Sequence, residues 1–103
     1  MKDLYEVNKG LFETAEKLGE KLPELTKLEI EYESKYYDFL LNSKLSSAQG
    51  REAEAHKLIE QEDIFIKYKM LRSEVKALYV RKECLMAISS NLRNLSYGGD
   101  YNG

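Results

Sequence analysis

Cysteine, proline, histidine and tryptophan are almost missing from this chain of 103 residues, which holds one Cys, one Pro, one His and no Trp. A single cysteine excludes an internal disulfide, and few helix breakers favour long helices. No apolar run approaches the ~20 residues of a membrane span, and the N-terminus MKDLYEVNKG carries acids where a secretory signal has an apolar core. We therefore expect one cytoplasmic domain with no membrane partner.

The charge of the chain is divided unevenly around a net value of −2. Residues 1–66 hold 15 acids and 9 bases, which gives −6, whereas residues 67–103 hold 3 acids and 7 bases, which gives +4. Such a division indicates either an acidic partner or nucleic acid bound by the second half, or attraction between the two halves.

Apolar residues recur every seven positions in the first half, at Leu4, Leu11, Leu18, Leu25, Tyr32 and Phe39. This period predicts a helix A over residues 3–42. Gly19 and Pro23 interrupt the pattern without changing its phase, so we expect a kink or a short break there.

The polar stretch NSKLSSAQG predicts a loop over residues 43–50, with Ser46 or Ser47 capping the next helix and Gly50 as an alternative part of the turn. Helix B then spans residues 51–95, because the glycine pair at 98–99 ends a helix, and residues 96–103 form a flexible tail. Two helices of similar length predict an antiparallel hairpin in an all-α domain, residues 1–95. Pairing residues whose numbers add to 96, as in Leu11 with Leu85, places the midpoint inside this loop.

Helix B has more apolar residues than one hairpin covers, because a second stripe faces away from the first. We predict that this stripe pairs two hairpins as a homodimer, a four-helix bundle. It consists of Ile59, Ile66, Met70, Ala77, Val80, Cys84 and Ala87. The alternatives are three shorter helices with a folded-back N-terminus, and a parallel zipper through the leucines from Leu71 to Leu92.

Reactive side chains are sparse. Glu52, His56 and Glu60 follow at helical spacing and offer a metal hypothesis, although a solvated face explains them equally well. On a continuous helix Cys84 lies ~40 Å from the only histidine, too far for a nucleophile and its base. We therefore predict no enzyme, no cofactor, no metal site and no small-molecule substrate.

Two groups of side chains point to macromolecular partners. A basic face of helix B is a nucleic-acid candidate, unless its bases pair with Glu16, Glu20, Glu24 and Glu29 of helix A; it comprises Lys69, Arg72, Lys76, Tyr79 and Lys82. Surplus tyrosines suit protein recognition, and the candidates are Tyr37, Tyr79, Tyr97 and Tyr101.

The segment REAEAHKLIEQEDIFIKYKMLRSEVKALYVRKECLMAISSNLR, with the polar loop before it, resembles small helical coiled-coil proteins encoded by bacteriophages. The likeness covers residues 45–95. It implies a setting in phage replication or recombination and carries no catalytic motif. We expect a non-enzymatic helical interaction protein, phage or mobile-element encoded, that binds another protein as a homo-oligomer; the alternative is an accessory protein that binds nucleic acid.

Overall fold

The computed structural model describes residues 3–102, with side chains described as far as residue 95. These residues form three helices and no strand: α1, Leu4–Asn42; α2, Ala48–Ile59; and α3, Asp63–Asn102. The prediction of an all-α fold is confirmed. None of the described helices combines the length and the apolar content that a membrane span requires.

The chain divides into two compact units. The terminal unit comprises Met1–Glu20 and Val75–Gly103, and the central unit comprises Lys21–Glu74. In the terminal unit the start of α1 packs on α3. In the central unit the rest of α1 packs with α2 and the first turns of α3.

Helix α1 begins with a side-chain cap, because the Asp3 carboxylate accepts a hydrogen bond from the backbone N–H of Glu6 at 2.8 Å. The helix continues unbroken through Gly19 and Pro23. Both residues are exposed, so the carbonyl that loses its partner to proline lies on the solvent side. The predicted break, and with it the fold of three shorter helices, is therefore not observed.

The loop after α1 is shorter than predicted, because α2 starts at Ala48 and includes Gly50. The Ser47 hydroxyl accepts from the backbone N–H of Gly50 at 3.0 Å, which confirms the predicted serine cap. A Cβ on Gly50 would lie 2.8 Å from that hydroxyl oxygen, so glycine leaves room for the cap. Arg51 closes the loop by donating to the carbonyls of Leu45 and Ser46 at 3.1 and 3.2 Å.

The prediction of one continuous helix B is wrong, since α2 ends at Ile59 and α3 begins at Asp63. Between them, the N–H groups of Gln61 and Glu62 bond to carbonyls three residues back, at 3.2 and 3.0 Å. Such tight turns rotate the chain more per residue than an α-helix does. The predicted end at Leu95 also differs, because α3 extends to Asn102.

The turn at residues 60–62 explains an error in the predicted dimer interface. On one continuous helix Ile59 and Ile66, seven residues apart, would share a face, whereas Ile59 and Ile64 would point about 140° apart. The turn changes the direction of the α3 side chains relative to those of α2. As a result Ile59 is 0% and Ile64 is 4% exposed, and both belong to the core. Ile59 therefore cannot contribute to an interface on the surface of α3.

The buried residues come from α1 and α3 in the terminal unit and from α2 and α3 in the central unit. In the terminal unit it comprises Val7, Thr14 and Leu18 of α1 with Val75, Leu85 and Ser89 of α3. The buried Thr14 hydroxyl donates to the Gly10 carbonyl at 2.7 Å. In the central unit the buried residues are Ala55, Ile59, Ile64, Tyr68 and Leu71.

Contacts within each unit run antiparallel, so α1 and α3 pack as in a hairpin. In the terminal unit a Cβ on Gly10 would lie 3.2 Å from Leu85. In the central unit Lys21 pairs with Glu74 at 2.8 Å. The residue numbers of both pairs add to 95, one less than the register predicted from the apolar period.

Replacing Ile59 by Ala tests the change of phase at the turn. We expect Ile59→Ala to lower the free energy of unfolding by about 2–5 kcal/mol, the cost of a cavity at a fully buried isoleucine. The same deletion at Ile66, which is 60% exposed, is expected to cost less than about 1 kcal/mol. Urea unfolding followed by circular dichroism measures both, and equal losses would contradict the assignment.

Candidate functional site

The outer face of α3 carries apolar side chains that are exposed among the residues that the structure describes. We call this set the α3 stripe: Ile66, Met70, Ala77, Val80, Cys84 and Ala87, all exposed. Ile66, Met70 and Val80 are 60%, 61% and 52% exposed. These six residues are the predicted dimer interface without Ile59. Ile66 and Met70 lie in the central unit and the other four in the terminal unit.

The α3 stripe lies opposite the buried side of the same helix. Ile64 and Tyr68 are buried, and each lies two residues before a member of the stripe, which corresponds to about 200° around the helix axis. The spacing of the stripe alternates between four and three residues when Ser73, which is also exposed, is included. This alternation is typical of a helix that packs against another helix.

The predicted nucleic-acid residues are all exposed on α3. Lys69 and Arg72 belong to the central unit, and Lys76, Tyr79 and Lys82 to the terminal unit. The two ion pairs found among the described side chains are Lys21 with Glu74 and Lys35 with Glu62. Both join a lysine of α1 to a glutamate, the reverse of the predicted pairing between acids of α1 and bases of α3.

An aromatic cluster holds one of these bases in place. The Tyr32 and Tyr68 rings are 4.8 Å apart between centroids, and Phe65 lies 6.4 Å from Tyr32. The Lys69 ammonium lies 5.6 Å from the Phe65 centroid and 6.0 Å from that of Tyr68, within the range of cation–π attraction. Burial, followed by the nearby Tyr68 and Tyr36, raises the pKa of the Tyr32 hydroxyl above 10.0.

His56 contacts an aromatic ring of α1 at a tilted angle of 45°. The ring centroids of His56 and Tyr36 are 4.9 Å apart, and the Tyr36 hydroxyl lies 3.5 Å from His56 Nε2. Within the part of the chain described, no three histidine, cysteine or acidic side chains are grouped as a metal site requires. Sequence reasoning missed this contact, since a register of 96 pairs Tyr36 with Glu60, one helical turn from His56.

The tyrosines predicted to bind a partner are only partly described. Tyr37 is 55% and Tyr79 is 42% exposed. The Tyr37 ring meets Tyr36 edge to face at 5.6 Å, which restrains it while leaving much of it accessible. The side chains of Tyr97 and Tyr101 lie outside the described residues.

Two open grooves lie beside the long helices. That of the terminal unit has a volume of about 460 Å³ and is lined by Leu11, Met86, Ser89, Ser90, Arg93 and Asn94. That of the central unit has about 540 Å³ and is lined by Lys21, Glu24, Leu28, Lys67, Met70, Leu71 and Glu74. Cys84 is exposed in the terminal unit, whereas His56 belongs to the central unit.

Together these features define an all-α protein whose most distinctive surface is an apolar helix face with basic residues beside it. Comparison with protein-family models, with curated proteins and with solved structures finds no match. The resemblance of residues 45–95 to phage coiled-coil proteins thus gains no support from these comparisons and stays an expectation.

Proposed function

We propose that this protein is a non-enzymatic helical interaction protein that self-associates through the α3 stripe and binds another protein. The observation that carries the proposal is the exposure of this stripe on the side of α3 opposite the core. Monomeric proteins rarely leave a continuous apolar face in water. Covering the exposed parts of Ile66, Met70 and Val80 contributes about 1 kcal/mol each, since full burial of such a side chain is worth about 1.5–3 kcal/mol.

The small residues of the α3 stripe favour a helix as its cover. Ala77, Cys84 and Ala87 have short side chains, so a second helix can approach the backbone of α3 closely. We place the second copy of the chain on this face, and we assign Tyr37 and Tyr79 to the binding of a different protein. In keeping with the sequence resemblance, we further propose that a phage or another mobile element encodes the chain.

Light scattering coupled to size exclusion tests the self-association. We expect a mass near twice 12.0 kDa that falls on dilution. Val80→Glu is expected to shift the protein towards the monomer, because it places a carboxylate in an apolar interface. Met86→Glu, at a site on α3 that is equally exposed but outside the stripe, is the matched control and is expected to leave the mass unchanged.

Affinity capture tests the tyrosine surface. We expect Tyr37→Ala combined with Tyr79→Ala to lose a protein partner that the unchanged chain retains, since interface tyrosines often contribute more than 1 kcal/mol. Tyr5→Ala is the control, because Tyr5 is 76% exposed and has no assigned role. Capture that is equal in the double variant and the control would contradict the assignment.

The basic side chains of α3 support a second candidate function, the binding of nucleic acid. The supporting observation is that neither ion pair of the described side chains uses Lys69, Arg72, Lys76 or Lys82. Exposed bases beside Tyr79 suit a single strand, whose phosphates meet the cations while a base stacks on the ring.

Fluorescence anisotropy with labelled oligonucleotides over a salt series tests this function. We expect replacement of Lys69, Arg72 and Lys76 by Gln to lower the slope of log affinity against log salt by about 2, since each contact with a single strand contributes about 0.7. The control replaces Lys9, Lys17 and Lys27, which are exposed on α1. No binding by the unchanged protein at low salt would exclude the function.

A further inference from the structure

A second exposed apolar stripe lies on α1 within the central unit. We call it the α1 stripe: Ile30, Tyr37 and Leu41, which are 64%, 55% and 81% exposed. With the exposed Ser34 between them, these residues repeat the alternating spacing of four and three found in the α3 stripe. The central unit therefore exposes a helix-packing surface on each of its two long helices.

The two stripes carry opposite charges along their edges. The exposed charged residues next to the α1 stripe are acids: Glu29, Glu31, Glu33 and Asp38. Lys35, next to Ser34, is half-buried and pairs with Glu62 at 3.5 Å. Next to Ile66 and Met70 of the α3 stripe are Lys67 and Lys69, both exposed bases. Lys27, one turn before Ile30, is a base, so the acidic segment beside the α1 stripe begins after it.

Two acids lie beside this part of the α3 stripe: Asp63, one turn before Ile66, and Glu74, which is already paired. Glu74 follows Ser73, and its carboxylate binds the Lys21 ammonium at 2.8 Å. The edge of the α3 stripe in the central unit thus presents net positive charge. Charges at the edges of helix-packing surfaces decide which helices pair, because like charges repel and opposite charges attract.

We propose that the α1 stripe of one copy packs against the α3 stripe of a second copy, an inference that rests on the proposed self-association. This exchange covers two exposed apolar surfaces at once and places Glu31, Glu33 and Asp38 beside Lys67 and Lys69. Because Tyr37 belongs to the α1 stripe, the second copy competes there with the different protein assigned to this tyrosine above. Pairing α3 with α3 would bring the lysines together and leave the α1 stripe in water. Opposite charges meet whether the two helices run parallel or antiparallel, since acids line both edges of one stripe and bases both edges of the other.

Mixing two association-deficient variants tests the exchange. Ile30→Glu alters the α1 stripe and Ile66→Glu alters the α3 stripe, both at side chains at least 60% exposed, so the fold is retained. We expect each variant alone to associate at least about tenfold more weakly. An equimolar mixture is expected to regain association, because one copy supplies an unchanged α1 stripe and the other an unchanged α3 stripe.

Sedimentation velocity over a concentration series measures these states, with Leu45→Glu as the control outside both stripes. A charge pair gives an independent reading: Glu33→Lys weakens association, and mixing with Lys67→Glu restores it. If Ile66→Glu weakens association and Ile30→Glu does not, the exchange is wrong, whereas the proposal of self-association through α3 still holds. A monomeric unchanged protein would overturn both, so the two failures are distinguishable.

Discussion

The change of helical phase at residues 60–62 determines which side chains the central unit buries and which it leaves in water. Ile59 and Ile64 are five residues apart, a step that no single α-helix can direct to one side. The tight turn directs both side chains to the same side, and both are buried. The turn sets the direction of the side chains on the first part of α3: Tyr68 and Leu71 are buried on the same side as Ile64, while Ile66 and Met70 point outwards.

The exposed stripe on α3 is thus a consequence of how the core is completed. A side chain two positions from a buried one lies nearly opposite it, so apolar residues at 66 and 70 have no place in the core that Ile64 and Tyr68 occupy. Their apolar character is then unexplained by the fold of the single chain. The proposed self-association gives them a role, because a second copy of the chain would cover this side of α3.

The sequence predicted the helical class and the packing of α1 on α3, because a sevenfold apolar period indicates both the helix and its buried side. It did not predict the turn, since the residues at 60–62, Glu-Gln-Glu, include neither glycine nor proline. The only sign of the turn in the sequence was the five-residue spacing between Ile59 and Ile64. Read as part of one continuous helix, this spacing assigned Ile59 to the outer stripe. Neither observed ion pair was foreseen, because the apolar period fixes which helices meet but not how long charged side chains are oriented.

The proposed self-association and the proposed nucleic-acid binding use overlapping parts of α3, because Lys69 flanks the α3 stripe and also belongs to the basic face. Its ammonium already lies against Phe65 and Tyr68. Added salt weakens either use of the lysine, so loss of a complex in salt does not distinguish them. The apolar part of the α3 stripe does distinguish them, since burial of Ile66 and Met70 does not depend on charge and persists when the lysines are screened. A complex that salt weakens but does not abolish is therefore held by the stripe, and one whose affinity falls steadily with salt is held by phosphates.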